Sequence, residues 1–426
     1  MARWSTIARG AAFAGVATLA LAACSPSGDE EESPAPGGTD SAPLTIGTFL
    51  PVTGSLAFLG PPEIAGVRYA VQEINEAGGI FGADVSLVET DSSDASKPEI
   101  GAQSAADLIS DGVSAIIGAA SSSVTLNVID DVDAAGIVMV SPANTSTSLS
   151  GYSDFYFRTA PPDTAQGAAV ADLMLNDGAK NIAILVQNDD YGVSFRNVVE
   201  GRVTEKDGTI TYGSSGEEID PAATNFSTDV QAALATNPDA ILMIAFNQTL
   251  QIIPELAASG YDMTKVYMTD GNTADWSEEN GGFPAGTLEG GQGTIPGAAA
   301  SDELQSAVSA LWEEEEGEPL TDFSYAAESY DAVMLVALAA LKGGSSDSAV
   351  IQANMAAVSG ANGGTECTGW VECSDLVLAG EEIDYNALSA AGPFDANNDP
   401  TTAIIGVYKY DGDNKPVRTS EVFWEG

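Results

Sequence analysis

Short apolar runs alternate with segments in which apolar residues recur every three or four positions, from Leu44 to about residue 410. A short continuous apolar run is typical of a strand buried in a parallel sheet, and the longer spacing is typical of an amphipathic helix. This alternation continues almost without interruption. It predicts parallel sheets that are covered by helices on both faces.

The first run of this pattern covers residues 44–158. Gly78-Gly79 and Gly136 mark the ends of two of its helices, because glycine commonly follows the last helical turn. The predicted strands are residues 44–49, 84–89, 113–118 and 137–140, and the predicted helices are residues 63–77, 97–110 and a segment that begins at Ser121-Ser122-Ser123 and ends at Gly136.

A second run of the same kind begins after Thr159-Ala-Pro-Pro-Asp163, a stiff segment that we interpret as a crossing point. Two similar runs separated in this way predict two similar lobes. The predicted helices of the second run are residues 164–176, 191–206, 226–236 and 248–259, and its predicted strands are residues 182–186, 209–212, 240–246 and 266–269. Three further helices (301–314, 324–341 and 347–358) are expected to cover a sheet, and a late strand at 403–410 is expected to cross back to the second lobe.

The N-terminus has the pattern of a signal peptide. Arg3 and Arg9 precede an apolar stretch, which closes with Leu21-Ala-Ala-Cys24 and resembles a bacterial lipobox. We therefore predict a signal peptide at residues 1–23, lipidation of Cys24 and a disordered acidic linker at residues 24–43. An ordinary signal peptide with a chance cysteine is the alternative. No later apolar segment is long and continuous enough to span a membrane.

Charge and composition exclude several classes of function. The chain has 62 acidic and 14 basic residues, a net charge of −48, and therefore no basic surface for nucleic acid. It has no histidine, which excludes Ser–His–Asp and Cys–His catalysis and every His-ligated metal site. Besides Cys24 there are only Cys367 and Cys373, for which we predict a disulfide in an exported protein. We predict no metal and no cofactor.

The two polar turns that follow strands 113–118 and 137–140 are the first candidate site. The carboxyl ends of parallel strands meet at one edge of a sheet, where ligands bind in folds of this kind. The serines before the helix and Ser141-Pro-Ala-Asn-Thr145 would lie together there. Hydroxyls and free N–H groups at a helix start suit a carboxylate. The alternative is that the serines only cap the helix.

The second run places an acid and aromatic residues at its own strand ends. Tyr191 follows the strand at 182–186, Phe246 closes the strand at 240–246, and Asp270 follows the strand at 266–269. Asp270-Gly271 alone is usually only a turn, and Tyr191 alone could be ordinary packing. Their position opposite an anion-binding turn favours a shared ligand site.

At this point the chain resembles a known family, the branched-chain amino-acid-binding proteins of ABC importers, which are type I periplasmic binding proteins. The resemblance extends from Leu44 to Tyr410, and the order and spacing of its motifs are specific. The motifs are Leu50-Pro-Val-Thr-Gly54, Gly66-Val-Arg-Tyr-Ala-Val-Gln-Glu-Ile-Asn75, Gly78-Gly79-Ile80, Ile117-Gly118 with its serines, residues 136–142, Phe157-Arg158-Thr159, Asp190-Tyr191-Gly192 and Tyr330-Asp-Ala-Val333.

The resemblance implies a ligand set. The ligand carboxylate would bind Ser122, the backbone at Ala143, and Thr145, and the ligand ammonium would bind Asp270. Further walls of the site would be Tyr191, Phe246, Tyr325 and Leu59. The chain departs from the family at three of these positions: Asp270 replaces a glutamate, Phe246 a tyrosine and Leu59 an aromatic residue. These departures bear on the preference for the ligand's side chain.

The resemblance also implies the fold, an α/β type I periplasmic-binding-protein fold with two lobes, each a parallel sheet flanked by helices, joined by a hinge with three crossings. We predict lobe 1 at residues 44–160 plus 297–403 and lobe 2 at residues 161–296 plus 404–426.

The predicted function is that of an extracytoplasmic solute-binding lipoprotein of an ABC importer. It is expected to be a monomer, lipid-anchored to the outer face of the cell membrane, that binds an amino acid, presents it to a membrane permease and catalyses no reaction. The alternatives are a receptor for an amide, urea or small aromatic acid, a sensory ligand-binding module, and a hydrolase that uses paired carboxylates.

Overall fold

The structure is a computed structural model that describes residues 42–426. The predicted signal peptide, Cys24 and all of the predicted linker except its last two residues lie outside the described residues. The strands are β1 (Thr45–Leu50), β2 (Ser86–Asp91), β3 (Ala115–Gly118), β4 (Val138–Ser141), β5 (Tyr156–Arg158), β6 (Asn181–Val186), β7 (Thr209–Tyr212), β8 (Ala240–Ile244), β9 (Val266–Met268), β10 (Gln292–Pro296), β11 (Thr365–Cys367), β12 (Ile383–Tyr385), β13 (Thr402–Tyr410) and β14 (Pro416–Glu425).

Helices lie in nine of the thirteen connections between these strands. They are α1 (Gly60–Glu76), α2 (Pro98–Asp111), α3 (Ser122–Ala134), α4 (Asp163–Asn176), α5 (Asp190–Glu205), α6 (Ser227–Ala235), α7 (Thr249–Ala258), α8 (Asp302–Glu316), α9 (Ala326–Gly343), α10 (Ser348–Val358) and α11 (Gly369–Leu378). Every predicted helix and strand is present within a few residues of its predicted bounds.

The first sheet is entirely parallel, in the order β2–β1–β3–β4–β5. Its central strands β3 and β4 are wholly buried, as their uninterrupted apolar sequences predict. On one face, α1 buries Ile64, Val67 and Ile74 against the sheet and against α9. We refer to this sheet and the helices packed on it as the first lobe.

The second sheet has seven strands in the order β14–β13–β10–β9–β8–β6–β7. The strands from β7 to β10 are parallel, whereas β13 is antiparallel to β10 and β14 is antiparallel to β13. The expectation of a purely parallel second sheet is therefore corrected at one edge. Only a short turn joins β13 to β14, which is too short for a crossover to a parallel strand. This sheet and its helices form the second lobe.

The chain passes between the two sheets three times: after β5, after β10 and before β13. The second and third passages lie side by side, since the Gly297 N–H donates to the Ile404 carbonyl at 2.7 Å. The predicted two-lobed fold with three crossings is confirmed. The residue numbers that we assigned to the lobe boundaries remain a prediction.

Helix α9 is the core helix of the first lobe. Its residues from Ala326 to Ala340 are all buried. Among residues 42–426, no single helix has both the length and the hydropathy that crossing a membrane requires, although α9 and α10 would pass both criteria as a pair bent by 107°. The burial of α9 explains its apolar composition.

Candidate functional site

The three serines after β3 do not act as helix caps. Ser121 is the residue before α3, yet its side chain makes no capping hydrogen bond, and its buried hydroxyl oxygen has no partner. The Ser122 hydroxyl oxygen accepts the Ser146 N–H at 3.3 Å, and the Ser123 oxygen accepts the Asp190 N–H at 2.9 Å. The capping alternative therefore fails to describe this turn, and the hydroxyls face neighbouring segments instead.

The turn after β4 is fixed against the serine turn by the side chains of Asn144 and Ser141, which are not among the predicted ligand residues. The Asn144 amide donates to the Ala119 and Ala120 carbonyls at 2.9 and 2.8 Å, and the Ser141 hydroxyl donates to Ala119 at 2.6 Å. The Thr145 hydroxyl is buried and has no hydrogen-bond partner. The two turns are consequently tied together, and two of their hydroxyls, those of Ser121 and Thr145, are buried without a partner.

The second lobe presents an aromatic pair and a carboxylate opposite this edge. The Tyr191 and Phe246 rings stack with centroids 5.5 Å apart. The Tyr191 hydroxyl lies 2.8 Å from Asp270 Oδ1, to which it can donate, and 2.7 Å from Thr269 Oγ1. Gly271 allows this arrangement because a Cβ there would lie 2.7 Å from the Phe246 ring. Phe246 lies two residues beyond the end of β8, not within the strand as expected.

Tyr325 joins the two lobes at the same carboxylate. It lies immediately before α9, in the first lobe, with φ of 60°. Its hydroxyl donates to Asp270 Oδ2 at 2.7 Å. Asp270 therefore accepts one phenol hydrogen bond from each lobe. A positive φ is unfavourable for a bulky residue, so the packing around Tyr325 must hold its backbone in this conformation.

The electrostatics of the cleft favour a cationic group beside Asp270. Burial raises the pKa of Asp270, while hydrogen bonds from Tyr325 and Tyr191 lower it. Burial and the neighbouring Asp270 raise the pKa values of both tyrosines well above their usual range, so both remain donors. In the described part of the chain, no lysine or arginine forms an ion pair with this carboxylate. A buried carboxylate without a cationic partner is costly, and a ligand ammonium would compensate that cost.

The structure brings most of the predicted ligand residues together. Seven of the eight line one narrow cleft with a cavity volume of about 10 Å³, together with Leu56, Ala120, Ser121 and Gly271. The seven are Leu59, Ser122, Ala143, Tyr191, Phe246, Asp270 and Tyr325. Thr145 does not line this cleft, although it lies beside Ser146, whose N–H binds Ser122. That each residue binds a ligand remains a prediction.

Direct hydrogen bonds hold the lobes together around the cleft. The Asp190 N–H donates to Ser123, and the Thr147 N–H donates to Ser194 Oγ at 2.9 Å. Asp189 caps α5 by accepting the Gly192 N–H at 2.7 Å, so it shapes the turn before Tyr191. The described conformation is therefore one in which the two lobes are in contact.

One other predicted feature lies away from the cleft. Cys367 and Cys373 are joined in a disulfide, with 5.3 Å between their Cα atoms. Among residues 42–426, no group of three or more His, Cys, Asp or Glu side chains is arranged to hold a metal ion.

Comparison with known proteins agrees with this geometry. The profile of the periplasmic binding protein family matches residues 43–371. The chemotactic signal transduction system substrate-binding protein BasB of Halobacterium salinarum is 27% identical over 390 residues, which cover 85% of this chain and 86% of that protein. The Leu/Ile/Val-binding protein homolog 3 of Brucella melitensis is 31% identical over 166 residues, only 38% of this chain and 45% of that protein.

Solved structures share the fold. A leucine binding protein of Thermotoga maritima has a TM-score of 0.72 and 24% identity, and the match covers 89% of this chain and 98% of that one. A solute binding protein of R. palustris in complex with 4-hydroxybenzoate has a TM-score of 0.68 and 18% identity, with 90% and 97% covered.

Two α/β lobes joined by three crossings, with a cleft between the carboxyl ends of their strands, define the class of two-lobed solute-binding proteins. This chain belongs to the periplasmic binding protein family. The predicted resemblance to branched-chain amino-acid-binding, type I periplasmic binding proteins is confirmed.

Proposed function

We propose that this chain is a lipoprotein, anchored through Cys24, that binds an amino acid in the cleft and delivers it to an ABC permease. The ligand is a branched-chain or similar amino acid. The observation that carries this proposal is Asp270, a buried carboxylate held by two neutral phenols and facing the serine turn across a small cleft.

The two ends of a zwitterion fit the two sides of this cleft. The ligand carboxylate would accept hydrogen bonds from Ser122, Thr145 and the backbone near Ala143, at the positive end of the α3 dipole. The ligand ammonium would donate to Asp270. The ligand's side chain would contact Leu59, Tyr191, Phe246 and Tyr325, which are all buried in the described conformation.

Ligand binding would stabilise the closed arrangement of the lobes. A ligand whose ends contact different lobes binds the closed form more tightly than the open form and shifts the equilibrium towards it. No step in this cycle requires bond chemistry. The closed form is then the one that the permease recognises, and we propose that the receptor acts as a monomer.

A receptor for an aromatic acid is the alternative that the structural comparison supports, since one neighbour was solved with 4-hydroxybenzoate. Asp270 argues against it, because such a ligand offers no cation to the buried carboxylate. A sensory role is a second alternative, supported by the name of the Halobacterium relative. A sensory role would change only which partner protein recognises the closed form. The ligand site would be the same.

A thermal-shift screen of the purified chain tests the proposed ligand class. A ligand that binds the folded state raises the melting temperature in proportion to the logarithm of its concentration over Kd. We expect one or more amino acids to raise it, and amides, urea, benzoate and 4-hydroxybenzoate to leave it unchanged. A shift with an uncharged or purely anionic compound, and with no amino acid, would reject the proposal.

A further inference from the structure

Asp163 is a buried acid at the first crossing between the lobes that has no role in the function proposed so far. It follows Pro161-Pro162 and is the first residue of α4, and its side chain is fully buried. Its backbone N–H donates to the Thr145 carbonyl at 2.6 Å. Neither of its carboxyl oxygens forms a hydrogen bond of standard geometry. A buried polar group without such a bond calls for an explanation.

The hydroxyl groups of two residues, one from each lobe, face this carboxyl group. Those of Ser194 and Thr145 are near enough to lower its pKa, although neither satisfies hydrogen-bond geometry. Ser194 Oγ already accepts the Thr147 N–H. The Thr145 hydroxyl has no partner in the described conformation. Asp163 therefore faces a hydroxyl of the predicted ligand set that has no hydrogen-bond partner.

The surrounding charges make a neutral Asp163 the favoured state. Burial, together with the neighbouring Asp270, raises its pKa to about 8. Arg158 lowers it, but that guanidinium is already paired with Asp399 at 2.6 Å. The remaining titratable group that senses Asp163 is Tyr191, a neutral phenol. At neutral pH the side chain is therefore a carboxylic acid, with one O–H group to donate.

The protonation state of Asp163 decides what Thr145 can offer to a ligand. A carboxylic acid can donate its proton to Thr145 Oγ1, which leaves the threonine hydroxyl hydrogen free to point at an anion. A carboxylate would instead take the hydroxyl hydrogen for itself. Thr145 would then present only lone pairs, and a ligand carboxylate beside it would be repelled.

We propose that Asp163 is a positioning residue for ligand binding: as a carboxylic acid it donates to Thr145 Oγ1 and so directs the Thr145 hydroxyl towards the ligand carboxylate. This inference rests on the function proposed above, because it takes Thr145 as part of the anion site. The bound ligand favours the protonated acid, so affinity falls as pH rises through the pKa of Asp163 in the free protein.

The test is calorimetric titration with the amino acid that gives the largest thermal shift, at pH 6.5 and at pH 9. Wild type is expected to bind about tenfold more weakly at pH 9, since one pH unit beyond a pKa reduces the protonated fraction about tenfold. Asp163→Asn keeps an N–H donor towards Thr145 at both pH values. We expect it to bind within about fivefold of wild type at pH 6.5 and to lose less than threefold at pH 9.

The matched control is Glu328→Gln, which removes another fully buried acid whose pKa burial raises to about 8. It should keep the wild-type pH dependence. Thr145→Val serves if Asp163→Asn does not fold, because without the hydroxyl the affinity should be low and its pH dependence lost. The ionisation of the ligand itself is common to all variants.

Three results would overturn the role of Asp163. They are a wild-type affinity that is equal at both pH values, an Asp163→Asn variant that keeps the full loss at pH 9, and a Glu328→Gln variant that abolishes it. If wild type binds none of the twenty amino acids at pH 6.5, the proposed function itself fails, and this role fails with it.

Discussion

Replacing Asp270 with asparagine removes the charge that we assign to the ligand ammonium and keeps the shape of the side chain. The asparagine oxygen can still accept one of the phenols that Asp270 accepts, from Tyr191 at 2.8 Å or Tyr325 at 2.7 Å. The walls of the cleft should therefore remain in place. The variant therefore measures the effect of the negative charge on ligand binding separately from the shape of the cleft.

The expected loss follows from the burial of the site. Asp270 is 7% exposed, so an ammonium bound there is removed from water with its partner. Removing one member of a buried, hydrogen-bonded charge pair costs about 2–5 kcal/mol. The lower bound corresponds to about a thirtyfold weaker Kd at 25 °C. We therefore expect Asp270→Asn to bind amino acids at least about thirtyfold more weakly than wild type.

The stability of the free protein should change in the opposite direction. Burial raises the pKa of Asp270, which means that the ionised carboxylate destabilises the fold above the pKa of the unfolded chain. At pH 7 the uncharged amide avoids this cost. We expect the ligand-free variant to melt at the same temperature as wild type or higher, so that weaker binding cannot be attributed to unfolding.

Asp190→Asn is the control for this experiment. Asp190 is exposed, and it contributes only its backbone N–H to the contact with Ser123, so its substitution should change Kd less than about threefold. Titration calorimetry of the three proteins with one amino acid decides the matter. A larger loss in Asp190→Asn than in Asp270→Asn would refute the assignment, and small, equal losses would favour an uncharged ligand.

Three further predictions concern the rest of the chain. Cys24→Ser should move the protein from the membrane fraction to the soluble fraction, and equal membrane retention of both proteins would contradict lipidation. Glu328→Gln should stabilise the protein by at least about 1 kcal/mol at pH 8 and by almost nothing near pH 4.5, because the pKa of this buried acid is raised from 4.5 to about 8 and stability is lost as pH rises through that range; a denaturant-melting difference that is the same at both pH values would contradict it. Replacing Cys367 and Cys373 with serine should cost about 2 kcal/mol of stability and leave amino-acid affinity unchanged, and an altered affinity would show that the disulfide acts on the cleft.

The parts of the fold that the sequence predicted well are those with strong periodicity. Strands β3 and β4 are short continuous apolar runs, and α1 carries its apolar residues on one face, so local pattern determines each of them. Strand β10 was not predicted, since it lies in a glycine-rich stretch with little apolar signal. Helix α11 was not predicted either, because the segment that contains Cys373 was interpreted only as part of a disulfide. The antiparallel edge of the second sheet depends on where the chain returns after the first lobe, which is a tertiary property.

The candidate site also has a part that the sequence predicted and a part that it did not. The family resemblance indicated which residues would meet, and seven of them line one cleft. The resemblance gave no indication that Asn144 ties the two turns together, because that side chain acts through backbone carbonyls 24 and 25 residues away in sequence. Asp163 was seen only as part of a crossing. Its significance depends on burial and on neighbours from both lobes, and neither can be read from local sequence.

The central claim is that one cleft binds both ends of a zwitterion. Its most direct test is a set of calorimetric titrations with L-leucine, with the amine that lacks its carboxylate, and with the acid that lacks its ammonium. If another amino acid gives a larger thermal shift than L-leucine, that amino acid and its own two analogues are used instead. We predict one site per chain for the amino acid and at least about thirtyfold weaker binding of each analogue, since each leaves one buried partner unpaired. Binding of the acid as tightly as the amino acid would contradict the account.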